Sequence, residues 1–202
     1  MRVLVAYEVS GVVRDAFIAA GHDAMSCDLS PTTSPGPHHT GHMWDLWATG
    51  QTWDLVVAHP PCTYLCNSGV RWLHTRPERW ALMEDAAWTF RMALEDPPAP
   101  RVCVENPVMH RYAREIVGER PTQTIQPWQF GEDASKRTGL WLRNLPPLVA
   151  TDVLIRDRYA NQTPSGQNRL GPSPTRAAER ARTYPGIAAA MAEQWGGVNG
   201  AP

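Results

Sequence analysis

The sequence lacks several features that would place it in familiar classes. It has no apolar run near the roughly 20 residues that a bilayer span requires. It has no cysteine pair separated by two residues, since the four cysteines stand at positions 27, 62, 66 and 103. This spacing predicts neither a zinc ribbon nor a disulfide framework, and it favours a reducing compartment. The first apolar run, Val3–Ala6, is soon followed by Glu8 and is too short for a signal peptide, so we expect a soluble, cytoplasmic protein.

Lysine is also scarce, because Lys136 stands alone against 18 arginines. Residues 1–100 carry 6 basic and 11 acidic side chains, whereas residues 101–202 carry 13 and 9. Within 134–182 there are 9 basic and 3 acidic residues. Guanidinium groups pair well with phosphate oxygens, so this segment is a candidate for contact with a polyanion. A coding bias that places arginine on every exposed surface explains the same numbers.

Apolar segments alternate with amphipathic ones over the first 120 of the 202 residues. Such alternation predicts a doubly wound α/β sheet that is mostly parallel. After Gln123 the strands become short and no long helix separates them, which predicts an antiparallel edge. The predicted strands are Arg2–Ala6, Asp23–Cys27, Trp53–Ala58, Arg101–Val104, 124–126 and 138–142, and the predicted helices are Val12–Ala20, 75–94, Met109–Val117 and 175–195.

Turn and cap signals set the ends of these elements. Gly21 and Gly118 are typical left-handed caps, and Thr75 and Glu78 have the spacing of a capping box. The last helix is expected to break at Pro185-Gly186 and to pack near the first strand. Residues 29–43 and 144–175 are predicted loops, and Trp80 and Trp88 are expected in the core.

Four polar motifs follow predicted strands and should meet at one edge of the sheet, where parallel α/β proteins bind ligands. They are Glu8–Gly11, Asp28, His59–Cys62 and Glu105–Pro107. Asp28 stands where a carboxylate often holds ribose hydroxyls. Because Glu8–Gly11 contains a single glycine, a cofactor with a pyrophosphate is disfavoured.

Cys62 is the candidate nucleophile, since two prolines hold it rigidly past a buried strand. Arg71 is a candidate cation to lower the pKa of its thiol. Cys66 lacks this setting, and Cys103 is expected to be a small buried apolar residue. Glu105 is the candidate acid, because partial desolvation should raise its pKa and let it donate a proton. The alternative is that Glu105 and Asn106 cap the next helix.

Two further groups are ambiguous. The histidines at 38, 39 and 42 lie in a predicted mobile loop without suitable further ligands, so no metal site is expected. Trp44, Trp47 and Trp72 fall in predicted loops near the candidate site, and one of them is a candidate for stacking on a base.

The order and spacing of these motifs resemble the cytosine-carbon-5 DNA methyltransferases. The matching motifs are Ser10-Gly11 after the first strand, Asp28 after the second, Pro61-Cys62 and Glu105-Asn106. The segments 54–62, 102–107 and 182–187 are similar to a short phage-type branch of that family. The resemblance implies a Rossmann-like fold, DNA as substrate, and a role in a bacterium or a phage-infected cell.

In that family the Pro-Cys cysteine attacks carbon 6 of a flipped cytosine, and the Glu-Asn glutamate holds ring nitrogen 3. The resemblance implies these roles for Cys62 and Glu105, with S-adenosylmethionine as the methyl donor, and it assigns Arg137 as a further catalytic arginine. The implied cofactor ligands are Glu8, Ser10, Gly11, Asp28, Asp45 and Pro60, and the implied substrate ligands are Asn106, Arg71 and Lys136.

The chain departs from the family in two places. Only Ser135-Lys136-Arg137 stands where a Gln-x-Arg-x-Arg motif is expected. We expect one methyltransferase domain over 1–202, in which 144–175 is a short loop-rich insertion in place of a recognition domain. Sequence specificity should therefore be weak or short unless a partner protein supplies it. The alternatives are an exocyclic-amine DNA methyltransferase, an inactive nucleic-acid-binding protein of the same fold, and an enzyme acting on free nucleotides.

Overall fold

A computed structural model describes residues 1–171, 173 and 176–197, without the side chains of 176–178. It contains a seven-stranded sheet whose strand order is β3-β2-β1-β4-β5-β7-β6. Strands β1 to β5 pair in parallel, and β7 is antiparallel to both β5 and β6. The strands are β1 (Arg2–Ala6), β2 (Asp23–Asp28), β3 (His38–Thr40), β4 (Leu55–Ala58), β5 (Arg101–Pro107), β6 (Gln123–Ile125) and β7 (Thr138–Arg143).

Helices cover both faces of this sheet. One face carries α1 (Val12–Ala19) and α6 (Pro185–Gly196), whose apolar side chains pack with Val3 and Val5 of β1. The other face carries α2 (Met43–Ala48), α3 (Arg79–Glu95) and α4 (Arg111–Val117). Apart from the exposed Arg2, every residue of β1 and β4 is buried, as in parallel sheets covered on two sides. A further short helix, α5, spans Arg176–Ala181.

The predicted fold class is confirmed: the sheet is doubly wound, mostly parallel, and reversed at β7. The predicted packing of the last helix near the first strand also agrees with the structure, because α6 shares its apolar cluster with β1 and α1. Gly21 and Gly118 have the left-handed φ values of 84° and 82° that their positions predicted.

Several local expectations were wrong. The predicted loop at 29–43 contains β3 and the start of α2, which places Trp44 and Trp47 on a helix. Thr75 forms no capping box, since the helix starts at Arg79 with no side-chain cap. Trp88 is 53% exposed and does not belong to the core. The predicted break at Pro185-Gly186 lies earlier, between Ala181 and Pro185, and Pro185 starts α6. Thr175, the predicted start of this helical segment, lies outside the described residues.

The chain leaves β1 toward β2 on one side and reaches β4 on the other, so the topological switch point lies between β1 and β4. In open α/β sheets this crevice, beyond the carboxyl ends of the strands, is where ligands bind. The structure brings Glu8, Asp28, Cys62 and Glu105 to this edge. Within the described chain, no helix is both long and apolar enough to cross a membrane.

Candidate active site

The turn after β1 is shaped by the carboxylate of Glu8, which is buried. Its Oε1 accepts a hydrogen bond from the Val13 amide at 2.7 Å, and its Oε2 accepts one from the Arg14 amide at 3.2 Å. Ser10 Oγ also donates to Glu8 Oε1, and Gly11 precedes α1 with a left-handed φ of 73°. Glu8 therefore occupies the amide groups at the start of α1, where a pyrophosphate would otherwise bind.

Arg14 fixes the loop that follows β2. The guanidinium group is fully buried and bonds Asp15 at 2.8 Å, with further contacts to Ser26 and Thr32. It also donates to the carbonyl oxygens of residues 34 and 35 at 3.1 and 3.2 Å. Because each donor has an acceptor, this buried charge forms a rigid support for the site.

Polar groups converge beyond β1 and β2. Tyr7 has a left-handed φ of 60°, and its buried hydroxyl has no hydrogen-bond partner among the described residues. Burial raises the pKa of Tyr7, with Cys27 and Asp28 adding to the effect. Burial also raises the pKa of Cys27 to about 11, although a backbone hydrogen bond from Tyr7 opposes this, and Asp28 and Asp45 raise it further. Both carboxylates therefore lie near the same thiol.

These two carboxylates differ in how the protein uses them. Asp28 Oδ1 accepts the Ser30 amide at 2.9 Å, which orders the turn after β2. Asp45 is exposed and caps α2 by accepting the His42 amide at 2.8 Å, with His39 Nε2 at 3.6 Å. Carboxylates in these positions can accept hydrogen bonds from hydroxyl or amine donors of a bound group.

Cys62 lies half-buried in the turn after β4, behind Pro60, which is buried. Its carbonyl oxygen accepts the amide of Cys66 at 3.1 Å, so the chain makes one helical turn between the two cysteines. A hydrogen bond from the Cys66 thiol lowers the pKa of Cys62, against burial and Glu105, and Lys136 assists, so that the pKa is about 7. The lowered pKa favours the thiolate of Cys62, which is the nucleophilic form of a cysteine.

The structure does not support Arg71 as the cation that lowers the pKa of the Cys62 thiol, because this arginine is exposed and Lys136 is the cation that contributes to the shift. Its guanidinium carbon instead lies 4.5 Å from the centroid of the Trp72 ring, and Arg76 lies 4.9 Å from the same centroid. Trp72 is in a 3₁₀ helix, Asn67–Leu73, and 36% of its surface is exposed. The structure thus provides a surface cluster of Arg71, Trp72 and Arg76 near Cys62 in sequence.

Glu105 lies in β5 with its side chain 13% exposed. Burial disfavours its charged form, but Lys136 and hydrogen bonds from His59 and Thr138 outweigh burial, and its pKa is lowered. His59 Nδ1 is 3.4 Å from Glu105 Oε2. The predicted rise in pKa is therefore wrong, because the sequence did not show that Lys136 and the hydrogen-bond donors His59 and Thr138 surround this carboxylate. Glu105 is ionised at neutral pH.

Glu105 does not cap the next helix. His110 does so, since its Nδ1 accepts the Ala113 amide at 3.2 Å while its Nε2 contacts the carbonyl oxygen of Tyr64 at 2.7 Å. The Asn106 side chain is fully buried, and its Nδ2 donates to the carbonyl oxygen of Pro107. The capping alternative therefore does not account for Glu105.

Lys136 and Arg137 lie on opposite faces of the sheet edge. Lys136 lines a small cavity with Glu105 and Thr138, on the side of α6. Arg137 lines a separate cavity with Asn106, on the side of α4. Successive residues of an extended chain point to opposite faces, so the tripeptide order alone did not indicate which cation accompanies Glu105. The structure places Lys136 there instead of Arg137.

Sequence reasoning did not select His59 or Cys66 as site residues. His59 was visible as the first residue of His59–Cys62, directly after a buried strand, and its Nε2 is buried without a partner in the described part of the chain. Cys66 stands four residues after Cys62, which is the spacing of one helical turn. Its pKa is raised, chiefly because its proton is held in the hydrogen bond to Cys62.

A scan against models of protein families finds no match, and a search of curated proteins finds none. Among solved structures, the chain is similar to the Entamoeba histolytica methyltransferase EhMeth, with a TM-score of 0.51 and 11% identity over 76% of this chain and 57% of that one. A provisionally identified DNA modification methyltransferase encoded within an E. coli prophage has a TM-score of 0.43 and 11% identity, over 70% of this chain and 46% of that one.

The chain thus spans about half the length of both solved structures. At this identity, the likeness to EhMeth shows a shared fold. The protein has a Rossmann-like α/β fold with seven strands, in agreement with the sheet order described above.

Proposed function

We propose that this protein transfers a methyl group from S-adenosylmethionine to carbon 5 of a cytosine in DNA, through a covalent adduct with Cys62. One observation carries the proposal: the half-buried Cys62 follows β4, and Glu105 lies in the paired strand β5, so that both groups lie at the same carboxyl edge of the sheet and each has a lowered pKa. A low-pKa thiol is needed for covalent addition to a ring carbon and serves no purpose in methylation of an exocyclic amine. The Cys62 thiol therefore favours methylation of carbon 5 over methylation of an exocyclic amine.

Cys62 adds to carbon 6 of the ring, and the electron pair of the carbon 5–carbon 6 double bond moves to carbon 5. Cys66 donates its S–H to the thiolate before attack and so keeps Cys62 deprotonated. The electron pair on carbon 5 would then form a bond to the methyl carbon as the bond from that carbon to the cofactor sulfur breaks. Solvent takes the proton from carbon 5, the pair from that C–H bond restores the double bond to carbon 6, and the bond from carbon 6 to sulfur breaks to return the Cys62 thiolate. The prolines at 60 and 61 limit backbone motion and hold the sulfur at the strand edge.

Glu105 acts in this proposal as a carboxylate. It accepts a hydrogen bond from the cytosine amine and a second from ring nitrogen 3, which takes a proton from solvent as Cys62 adds and returns it when the adduct breaks down. The proton on nitrogen 3 makes carbon 6 more electrophilic. Lys136 and His59 keep Glu105 charged and orient it. This role differs from proton donation by a neutral acid, and it leaves Lys136 as the nearby cation that offsets the negative charge of the thiolate and the carboxylate.

The residues beyond β1 and β2 fit S-adenosylmethionine. Glu8 fills the amide positions at the start of α1, which suits a cofactor without phosphate groups. Asp28 and Asp45 offer acceptors for ribose hydroxyls and amines, and the unpartnered hydroxyl of Tyr7 lies near Asp28. Ser10, Gly11 and Pro60 would form the walls of this site. When bound, the cofactor supplies an electrophilic methyl group on sulfur.

DNA is the proposed substrate because a basic and aromatic surface lies beside the nucleophile in the chain. The cluster of Arg71, Trp72 and Arg76 offers one ring for stacking and two cations for phosphates. Extruding a base costs a few kcal/mol, which such contacts can offset. Because the loop-rich segment 144–175 is short, we infer a short target sequence or a partner protein that supplies specificity.

The proposal is tested by incubating the purified protein with DNA and S-adenosylmethionine carrying an isotopic label in its methyl group. Mass spectrometry of the nucleosides should find label in 5-methylcytosine with the native protein and none with Cys62→Ala. Label on an exocyclic amine, or equal labelling by the Cys62→Ala variant, would contradict the covalent mechanism.

A second readout traps the adduct. In 5-fluorocytosine the fluorine at carbon 5 cannot leave as a proton does, so the bond from sulfur to carbon 6 should persist. We expect a DNA–protein species stable in denaturing gels, and a peptide cross-linked at Cys62. The variant Cys103→Ala is the matched control, because Cys103 is fully buried inside β5 and should leave trapping unchanged.

A further inference from the structure

A cavity of about 370 Å³ lies on the face of β5 opposite Glu105. This volume is within the range of small-molecule sites, about 300–1,000 Å³. Its lining combines the end of β5, the start of β7 and the segment that joins α4 to β6. Met109 and Trp141 form part of an apolar wall. The cavity is distinct from the pocket that contains Glu105 and Lys136.

Three arginines from three parts of the chain line this cavity. Arg114 belongs to α4, Arg120 follows that helix, and Arg137 precedes β7. Among the described residues, no carboxylate forms an ion pair with these guanidinium groups, and the adjacent Glu119 is bonded to Arg143 instead. Like charges gathered at one cavity are stabilised by an anion, and phosphate matches the guanidinium geometry.

Asn106 gives the cavity a second polar feature. Its side chain is fully buried, and its Nδ2 donates to the carbonyl oxygen of Pro107 at 2.5 Å. Its Oδ1 is buried and has no hydrogen-bond partner within the described chain. A buried acceptor without a partner is unfavourable, so a ligand that donates an N–H group to it gains affinity.

We propose that this cavity binds a nucleoside monophosphate unit, with its phosphate on the three arginines. The base lies against Met109 and Trp141, and an exocyclic amine donates to Asn106 Oδ1. The unit is either a free nucleotide or one nucleotide of a single DNA strand. This inference goes beyond the proposed methyl transfer, because the cavity lies on the other face of the sheet and its test measures binding alone.

The test measures binding of dCMP and of a fluorescent single-stranded pentanucleotide by calorimetry and anisotropy. The double variant Arg114→Gln, Arg137→Gln should raise the dissociation constant at least tenfold for each probe that binds. Deoxycytidine, which lacks phosphate, should bind the native protein at least tenfold more weakly than dCMP. Arg91→Gln is the matched control, since Arg91 pairs with Glu95 on α3. Its removal of one positive charge should leave binding unchanged.

The two probes distinguish the two possible ligands. Binding of dCMP alone indicates a free nucleotide, and binding of the pentanucleotide alone indicates a DNA strand. Asn106→Leu should abolish any preference for dCMP over dTMP, which lacks an exocyclic amine. Equal binding by the native protein and the double arginine variant, or no binding of either probe, would overturn the inference. These measurements contain no methyl donor and follow binding alone, so failure of the methyl-transfer proposal is distinguishable from failure of this inference.

Discussion

Two buried polar clusters lie at the same edge of the sheet and are built in opposite ways. The cluster around Arg14 is saturated, because its guanidinium group meets one carboxylate, two hydroxyls and two carbonyl oxygens. The cluster around Cys62 and Glu105 is not saturated. His59 contacts Glu105 over 3.4 Å, and its other ring nitrogen has no partner in the described residues.

This difference indicates a structural role for the cluster around Arg14 and a catalytic role for the cluster around Cys62 and Glu105. A saturated buried charge holds its neighbours in one arrangement, and removing it leaves several buried groups unpaired. An unsaturated cluster keeps acceptors, donors and a thiolate available for a ligand, at a cost in stability that the rest of the fold tolerates. Variants in the first cluster should therefore lower stability, and variants in the second should lower activity.

The largest effect is expected for Cys62→Ala. Loss of the nucleophile should reduce methyl transfer by at least about 10⁴-fold, as for other enzymes that lose a covalent nucleophile. The melting temperature and the binding of S-adenosylmethionine should stay close to native values. Initial rates with labelled cofactor and a thermal melt check this, and substantial remaining activity would remove Cys62 from the mechanism.

Arg14→Met should have the largest effect on stability. Several acceptors, including the carbonyl oxygens of residues 34 and 35, lose their donor, so the free energy of unfolding should fall by about 3–5 kcal/mol. Urea denaturation measures this loss. Arg91 is half-buried on α3, and Arg91→Met should change stability by less than about 0.5 kcal/mol. Comparable losses in the two variants would refute the distinction between the clusters.

Glu105→Gln should lower kcat by about 10²–10³-fold, because the amide cannot balance a proton on the cytosine ring. Cofactor affinity should not change. The pH dependence of stability provides a second readout: the lowered pKa of Glu105 means that its charge stabilises the fold above its usual value of 4.5, and this contribution is lost as the pH falls through the folded-state pKa. Glu105→Gln should remove that component of acid sensitivity.

Cys66→Ala should have the smallest effect. Without the S–H donor, the pKa of Cys62 should rise from about 7 toward its usual value of 9. The pH at which alkylation of Cys62 by iodoacetamide reaches half of its maximal rate should then rise. Methyl transfer at pH 7 should fall by about tenfold. Cys27→Ala is the matched control, and a profile unchanged in Cys66→Ala would show that Cys66 does not support the thiolate.

Much of the fold was predictable because local signals agree with the tertiary arrangement. Both faces of β1 and β4 are buried, so each is a short continuous apolar run, and glycines at 21 and 118 mark helix ends. The segments that escaped prediction carry weak local signals. Strand β3 has three residues, two of them histidine, and forms because β2 offers it a partner. Trp88 looked like a core residue, yet it lies on the exposed side of α3.

The sequence by itself determined the alternation of strands and helices, and with it the edge where Asp28, Cys62 and Glu105 meet. Only the tertiary structure decided the chemistry of that edge. Lys136 comes from a distant part of the chain to lower the pKa of Glu105, while Arg137, its neighbour, faces another cavity. Charge interactions depend on distances in space, and no local pattern encodes the distance between Glu105 and Lys136, which are 31 positions apart.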